Sequence, residues 1–261
     1  MKKSSNIIIQ SLNNGISRIK LNEPSTYNAL SLNTLKSLIK SFKSFNNDKK
    51  TKVIIIEGSG KGFSAGHNLK EINSLKGKAD YRKLFDLCSE LMMSIVHNSK
   101  PVIAKVHGVA FAAGCQLVAT CDLALCTKNA IFATPGVNIG LFCSTPMVAL
   151  SRNVNRKKTM KMLLTGEPIS AIYAKEIGLI NDYFEHSKIE EEVLKLAEKI
   201  SSKSTKIVKI GKEAFYEQLE MPLDKAYKYT SKVMCESMLT LDAQEGISAF
   251  LEKKTPKWKN K

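Results

Sequence analysis

The chain alternates short apolar runs rich in Val and Ile with segments in which apolar residues recur at helical spacing. The runs at 53–57, 102–106 and 123–126 are as short and as apolar as strands that are buried on both faces. Helical patterns at 81–97 and 111–120 separate these runs. Because a helix between two strands makes a crossover connection, this order predicts parallel strands covered by helices. The fold class is therefore α/β.

The two ends of the chain differ from this central part. Isoleucine-rich runs at 7–9 and 16–21 flank Asn13-Asn14-Gly15, which predicts a strand pair joined by a tight turn. A helix is predicted over 31–45, where leucines recur at helical spacing. After residue 200 the pattern is helical only. The sequence therefore predicts an α/β core over residues 1–200 and a helical region over residues 201–261.

Two further helices have signals at their ends. Ser170 precedes a helical segment that Gly178 would end. Ser187 and Glu190 have the spacing of a capping box ahead of another apolar face. Both segments are therefore predicted to be helices that begin next to a serine.

Two segments place small residues directly after an apolar run, where a helix should begin. They are Gly62-Phe63-Ser64-Ala65-Gly66-His67-Asn68-Leu69-Lys70 and Val106-His107-Gly108-Val109-Ala110-Phe111-Ala112-Ala113-Gly114-Cys115-Gln116. The first N–H groups of a helix have no partner within the helix, and small side chains leave them approachable. Two such donors, one from each segment, could bind a single carbonyl oxygen.

This pair of segments resembles the crotonase superfamily, which is also called the enoyl-CoA hydratase/isomerase family. Further matches lie before and after these two segments, in the order that the family has: Leu21-Asn22-Glu23-Pro24, Asn28-Ala29-Leu30, Ala119-Thr120-Cys121-Asp122-Leu123-Ala124, Leu164-Thr165-Gly166-Glu167-Pro168-Ile169 and Phe250-Leu251-Glu252-Lys253-Lys254-Thr255-Pro256. The resemblance implies a ClpP-like spiral of repeated ββα units with a C-terminal helical oligomerisation region. It also implies a homotrimer or a dimer of trimers.

Members of this family bind acyl-CoA thioesters and hold the oxygen of an enolate on two main-chain N–H groups. The resemblance assigns these two donors to His67 and Ala113. Coenzyme A would enter as part of the substrate, so we expect no separate cofactor and no metal. Further substrate contacts are implied at Ala29, Ala65, Gly66, Asn68, Leu69, Lys70, Gly114, Phe142, Cys143 and Lys253.

Hydratases of this family use two glutamates to hold and activate the water that adds across the double bond. The corresponding positions in this chain are Gln116 and Gly136, and neither residue can accept or release a proton near neutral pH. The resemblance therefore implies an acyl-CoA protein of this family in which the two-glutamate hydration is missing.

Other activities of the family remain open. His67 and the run 134–140 are similar to methylmalonyl-CoA decarboxylases, in which an imidazole would assist the loss of CO2, although Cys143 stands where those enzymes carry a tyrosine. Ser144 replaces the aspartate of dienoyl-CoA isomerases and of the chlorobenzoyl-CoA dehalogenase, which argues against both activities. The run 140–146 is similar to a mitochondrial subgroup known as enoyl-CoA hydratase domain-containing protein 3. The alternatives are a decarboxylase or isomerase that uses His67, and a non-catalytic acyl-CoA-binding scaffold.

The charge of the chain suggests a different class of partner. There are 40 Lys and Arg residues against 24 Asp and Glu, a net charge of +16, which is also typical of nucleic-acid-binding proteins. The lysines are spread along the chain, and the arginines are only Arg18, Arg82, Arg152 and Arg156. We therefore expect no nucleic-acid partner and interpret the positive surface as one that attracts the phosphates of CoA.

The sequence also bears on cofactors and location. Gly60-Lys61-Gly62-Phe63-Ser64-Ala65 matches a dinucleotide-binding pattern, but Lys76-Gly77-Lys78 leaves room only for a short helix, so NAD is not expected. The six cysteines form no CxxC pair, which favours reduced core residues over a zinc site. The most apolar stretch, between Lys105 and Asp122, is too short for a membrane span, and residues 1–9 lack the pattern of a targeting peptide. We expect a cytoplasmic protein without a membrane partner, or a mitochondrial matrix protein if the source is eukaryotic.

Overall fold

The computed structural model describes residues 5–260, so part of the N-terminal segment behind the prediction about targeting lies outside the described residues. In this part of the chain the strands are β1 (Ile7–Ser11), β2 (Ile16–Leu21), β3 (Val53–Gly58), β4 (Val102–Val106), β5 (Val109–Phe111), β6 (Leu123–Thr127), β7 (Ile131–Ala133), β8 (Ile169–Ser170) and β9 (Asp182–Phe184). The α-helices are α1 (Leu32–Asn47), α2 (Leu69–Ser74), α3 (Lys78–Val96), α4 (Ala113–Thr120), α5 (Ser144–Asn153), α6 (Arg156–Thr165), α7 (Ala171–Glu176), α8 (Ile189–Ser201), α9 (Thr205–Leu219), α10 (Leu223–Met238) and α11 (Leu241–Leu251).

The strands form two sheets. The larger sheet has the order β1-β2-β3-β4-β6-β9, in which β1 is antiparallel to β2 and all other neighbours are parallel. The smaller sheet has the order β5-β7-β8, with β5 and β7 parallel. Two isolated bridges hold the loop after β3: Ser64 with Ala110 links it to β5 of this smaller sheet, and His67 with Leu30 links it to the segment before α1.

The connections repeat one pattern. A strand of the larger sheet is followed by a short segment in the second layer and then by a helix, as in β4, β5 and α4. The order β6, β7 and α5 repeats it, and the segment between β3 and α2 makes its second-layer contact through the Ser64 bridge. This is the spiral of ββα units that the resemblance implied.

The parallel strands are buried on both faces, as their Val and Ile runs predict. Ile54 and Ile56 of β3 belong to the main core, which also contains residues of α1 and α3. Ile55, between them, faces the opposite side, where it joins a smaller cluster that includes Val193 of α8. The helices α1, α3 and α8 thus cover the sheet that positions the loops of the candidate site.

The chain after α8 is helical, as predicted, and α9 packs against both α10 and α11. The exposed large side chains of this helical region include Phe215, Tyr227, Met234 and Phe250. Among residues 5–260, none of the helices combines the length and the apolar character that crossing a bilayer requires.

Two local predictions are wrong. The helix predicted over 111–120 begins only at Ala113, because Phe111 is the last residue of β5 and pairs with Ala133 of β7. The predicted capping box at Ser187 does not form, since α8 starts after Lys188 without a side-chain cap. Glu190 instead pairs with Arg18 and Lys105 of the neighbouring strands. Its charge therefore anchors the helix to the sheet.

Candidate functional site

The two glycine-containing segments come into direct contact. Gly66 has φ +92°, and a Cβ at this position would lie 3.1 Å from the amide nitrogen of Ala113. A Cβ on Gly114 would lie only 2.3 Å from the carbonyl oxygen of Ser64. Neither position has room for a larger residue, and Gly66 also adopts a backbone conformation that favours glycine. The two glycines therefore let the loop after β3 pack against the start of α4.

Most amides of the first loop are already used in hydrogen bonds. The amides of Phe63 and Ser64 donate to the carbonyl of Val109, at 3.0 and 3.1 Å. Ala65 donates to Tyr27 and Gly66 to the Ser64 hydroxyl. Within residues 5–260, no hydrogen bond has the His67 amide as its donor. His67 directly follows Gly66, which contacts Ala113.

The start of α4 is similar. The amide of Ala112 donates to Ala133 at 2.9 Å, and that of Gln116 donates to Ala112 at 2.9 Å. Between them, the Ala113 amide donates no hydrogen bond within the described part of the chain. No side chain caps this helix end, although every residue of α4 is buried. A buried helix start without a cap offers free donors and the positive end of the helix dipole.

The backbone before α4 is strained. Ala112 has φ 47° and ψ −116°, a conformation that residues with a side chain rarely adopt. Such strain persists only where the surrounding structure enforces it, and it is concentrated at functional sites. Here it accompanies the turn that leads from β5 directly into α4.

The His67 side chain packs between the segment before α1 and helix α3. Its Nδ1 lies 3.3 Å from the carbonyl oxygen of Leu30, and its ring meets Phe85 of α3 edge-on at 5.6 Å between centroids. Burial lowers the pKa of this imidazole, and the contact with Leu30 only partly opposes the shift. If Nδ1 donates to Leu30, Nε2 is a hydrogen-bond acceptor, and it has no partner within the described residues. His67 is therefore a neutral imidazole near pH 7.

Gln116 lies one turn into α4 and is buried. Its side-chain oxygen accepts a hydrogen bond from the Cys88 thiol of α3, at 3.7 Å. The Cys88 pKa is raised to about 12 by burial, so this thiol stays protonated and able to donate. No group in this pair exchanges protons near neutral pH.

The position of Gly136 is closed by its neighbours. A Cβ there would lie 2.6 Å from the Leu141 carbonyl oxygen and 2.9 Å from the Cys143 sulfur. Burial raises the pKa of the Cys143 thiol, so it is not a thiolate at neutral pH. The space that a side chain at position 136 would need is filled by residues 141–143.

Most of the remaining predicted contacts lie in the first loop and in the loop before α5, whereas Lys253 lies at the end of the helical region. Asn68 caps α2 by accepting hydrogen bonds from the amides of Lys70 and Glu71. Around the first loop and the loop before α5, Ala29 and Cys143 are buried, whereas Ala65, Leu69, Lys70 and Phe142 are exposed. Lys253 follows α11, and its amide donates to Phe250 of its own helix. Within one chain, no hydrogen bond or ion pair of the described residues links Lys253 to the amide pair.

Two supporting residues were not predicted as site residues. The Asn28 side chain donates to the carbonyls of Ser59 and Gly62, both at 2.8 Å, and so fixes the turn before the loop. The Ser64 hydroxyl donates to the Asn28 carbonyl at 2.9 Å and accepts from the Gly66 amide. Both residues lie in segments that carried the family resemblance, which is the signal that could have found them.

A large cavity lies elsewhere in the molecule. It is an open groove with a volume of about 980 Å³, lined mainly by apolar side chains of α9, α10 and α11 together with Trp258. None of the predicted site residues lines it. Among residues 5–260, no group of three or more His, Cys, Asp or Glu side chains could hold a metal ion.

The chain is similar to known proteins over nearly all of its length. Residues 11–261 match the family described as enoyl-CoA hydratase/isomerase. A zebrafish (Danio rerio) protein named enoyl-CoA hydratase domain-containing protein 3, mitochondrial, is 46% identical over 98% of this chain and 89% of its own length. The human protein of that name is 48% identical over 94% of this chain and 80% of its own length.

Solved structures show the same similarity. The crystal structure of an enoyl-CoA hydratase from Mycobacterium smegmatis matches with a TM-score of 0.96 and 43% identity, over 97% of this chain and 99% of that one. The crystal structure of the human enoyl-CoA hydratase domain-containing protein 3 matches with a TM-score of 0.94 and 46% identity, over 97% and 100% of the two chains.

Proposed function

This chain belongs to the enoyl-CoA hydratase/isomerase family and has the crotonase fold, and on this premise we propose that it binds an acyl-CoA thioester between the loop after β3 and the start of α4. The carbonyl oxygen of the thioester would accept hydrogen bonds from the amides of His67 and Ala113. The observation that carries this proposal is that both amides donate no hydrogen bond among residues 5–260 and lie at the contact between the two segments.

The physical advantage of such a pair is the stabilisation of negative charge. When Cα loses a proton, or when a carboxylate on Cα leaves as CO2, the electron pair left behind gives the thioester oxygen negative charge. Fixed donors then bind this oxygen more strongly than before. Removing one donor of this kind typically costs about 2.7–4 kcal/mol of transition-state stabilisation. The buried, uncapped end of α4 adds the positive potential of a helix N-terminus.

The proton-transfer side of the reaction differs from that of a two-glutamate hydratase. Gln116 cannot titrate, and Gly136 has neither a side chain nor room for one. General acid–base groups contribute about 10²–10⁴-fold each, so we expect crotonyl-CoA hydration to be at least a few orders of magnitude slower than in such an enzyme. The protein would then be a lyase or isomerase that relies on the amide pair.

One specific observation favours a catalytic role for His67. Its neutral imidazole is packed beside its own amide, and its Nε2 has no hydrogen-bond partner within residues 5–260. An unprotonated nitrogen at this place could assist the loss of CO2 or move a proton along the acyl chain. A decarboxylase or isomerase that uses His67 is therefore the first alternative, and a non-catalytic acyl-CoA scaffold is the second.

The remaining contacts are proposed from the same resemblance. Lys70 is exposed at the first loop and could contact a CoA phosphate of the same subunit. Among residues 5–260, Lys253 has no hydrogen bond to this loop, and its contact with CoA is proposed across a subunit boundary of a homotrimer or a dimer of trimers. The exposed apolar side chains of α9, α10 and α11 are consistent with such an assembly.

The names of the relatives bear on location. The zebrafish and human relatives are named mitochondrial, which agrees with the mitochondrial matrix alternative and does not support the cytoplasmic prediction. We therefore propose a mitochondrial location if the source is eukaryotic.

A mass-spectrometric screen of CoA thioesters tests the proposal. Purified protein would be incubated with crotonyl-, malonyl- and methylmalonyl-CoA, and binding would be measured in parallel by calorimetry. Turnover that disappears in His67→Ala would favour the enzyme, whereas binding without turnover would favour the scaffold. The absence of binding to every thioester would refute the site itself.

A further inference from the structure

Lys212 of α9 connects the helical region to the core. Its side chain is only 7% exposed, and its ammonium group donates three hydrogen bonds. The acceptors are the Asp122 carboxylate at 2.7 Å, the Ile95 carbonyl at 3.0 Å and the Lys100 carbonyl at 3.1 Å. One side chain of the helical region therefore binds three separate segments of the core.

Asp122 is the centre of this contact. Its Oδ2 also accepts the Val102 amide at the start of β4, at 2.7 Å, and its Oδ1 accepts the Tyr216 hydroxyl at 2.9 Å. Tyr216 lies one turn after Lys212 on α9. Burial lowers the pKa of the Lys212 ammonium, and the adjacent Asp122 carboxylate opposes this shift. Both carboxylate oxygens and the ammonium are thus engaged in hydrogen bonds.

The acceptors lie at the far ends of the two helices that border the amide pair. Ile95 is in the last turn of α3, which carries Phe85 against His67 and Cys88 against Gln116. Asp122 follows the last residue of α4 by two positions, and α4 begins at Ala113. A cation at the C-terminal end of a helix is also favourable to the helix dipole.

The start of α4 needs such external support. The helix has eight residues and follows the strained Ala112. A helix this short is not stable by itself, and a strained residue keeps its conformation only when its surroundings fix it. The side chain of Asn153 in α5 donates to the Ala119 carbonyl at 2.9 Å, so the C-terminal end of α4 is held from two sides.

We propose that Lys212, Tyr216 and Asp122 form a positioning cluster through which the helical region holds α3 and α4 in the arrangement that the amide pair requires. The inference rests on the proposed function, because it concerns the geometry of the same thioester site. Lys212 and Tyr216 would act through the helices and would not touch the substrate. The helical region would then contribute to the site within one subunit, in addition to any role in assembly.

A chromophoric thioester, 4-(dimethylamino)cinnamoyl-CoA, tests this cluster. Its absorption moves to longer wavelength when the carbonyl oxygen is polarised, so the shift reports on the amide pair and not on folding alone. We expect wild-type protein to bind the probe with a red shift. In Lys212→Met the shift should be largely lost and the Kd should rise by about tenfold or more, because displaced helices would no longer hold both amides at the carbonyl oxygen.

Matched variants separate positioning from general destabilisation. Lys209→Met removes a lysine one turn earlier on α9, whose ion pair with Glu213 is exposed, and this variant should retain the full shift. Tyr216→Phe removes a single hydroxyl and should reduce the shift partially. If Lys212→Met does not fold, Tyr216→Phe decides the question. Circular dichroism would confirm that the compared variants are folded.

The outcomes are distinguishable. A red shift in wild type that is reduced in Lys212→Met and Tyr216→Phe, but not in Lys209→Met, supports the cluster. An unchanged shift in both cluster variants overturns the cluster and leaves the proposed function intact. A wild-type protein that neither binds the probe nor shifts its spectrum overturns both.

Discussion

The two sides of the candidate site are built differently. The side of His67 and Ala113 consists of backbone groups, held by close contacts at Gly66 and Gly114. The proton-transfer side depends on side chains, and there Gln116 cannot titrate while Leu141 and Cys143 fill the space beside Gly136. A donor made of backbone remains when side chains change, as long as the packing remains. Proton transfer depends on a titratable side chain, so a single substitution can remove it.

The largest expected effect comes from adding a methyl group at Gly114, on the side of the site that consists of backbone groups. Gly114→Ala places a Cβ 2.3 Å from the Ser64 carbonyl and should lower the free energy of unfolding by about 1–3 kcal/mol while abolishing thioester binding. Gly211→Ala is the matched control, because a Cβ at this position of α9 meets nothing within 4 Å. It should stabilise by about 0.5–1 kcal/mol. Similar thermal unfolding and calorimetric binding for both variants would contradict the close contact.

The next effect concerns the side-chain half of the site. The double variant Gln116→Glu/Gly136→Glu should not become a hydratase, because Leu141 and Cys143 leave no space for the second carboxylate. We expect about 1–3 kcal/mol of destabilisation from overpacking at residue 136 and no gain in crotonyl-CoA hydration, measured by loss of enoyl absorbance. Gln116→Glu alone serves as the control for the buried charge. A rise in hydration in the double variant by orders of magnitude would show that the space can open.

A smaller effect is expected when the Cys143 thiol is removed. Burial raises the pKa of this thiol, so it should not act as a nucleophile. Cys143→Ala should cost about 1 kcal/mol or less through a small cavity and leave thioester binding and turnover nearly unchanged. Cys235→Ala, an exposed cysteine of α10, is the control. Loss of turnover in Cys143→Ala alone would place the sulfur in the chemistry.

The smallest effect is a pH dependence of stability caused by His67. Because burial lowers its pKa in the folded protein, the unfolded chain binds a proton first as the pH falls. Stability should therefore decrease as the pH falls from 7 through the ordinary histidine value of about 6.5, and the decrease should level off below the folded pKa. Thermal unfolding of wild type and His67→Ala across this range measures the difference. An equal decrease in both proteins would mean that His67 is not desolvated.

The larger elements were predictable because their residues follow regular patterns. The boundaries of β4 agree with its apolar run, and Ser31 caps α1 directly before the predicted leucine pattern. The hairpin turn at Asn14 and Gly15 was also predicted, and both residues have positive φ. Propensity and periodicity are sufficient here because local sequence and tertiary packing favour the same conformation.

The site itself was only partly predictable. The small residues indicated free amides, but the strain at Ala112 and the contact of Gly66 with Ala113 arise only when two sheets meet. The pairing of Lys212 with Asp122 joins residues 90 positions apart, so no local pattern reveals it. Glu190 likewise does not cap α8 as predicted, because Arg18 and Lys105 of the sheet lie close enough to pair with its carboxylate.

The complete burial of α4 has a consequence for the folding reaction. An isolated helix of eight residues is only marginally populated in water, so α4 should form together with the sheets and not before them. The Ala113 amide would then reach its position in the candidate site only in molecules that have completed folding. A thioester ligand would recognise this state alone and stabilise it by about 2.7 kcal/mol at one hundred times its Kd. Native-state hydrogen exchange should accordingly show the hydrogen-bonded amides of α4, from Gln116 onwards, opening only in global unfolding.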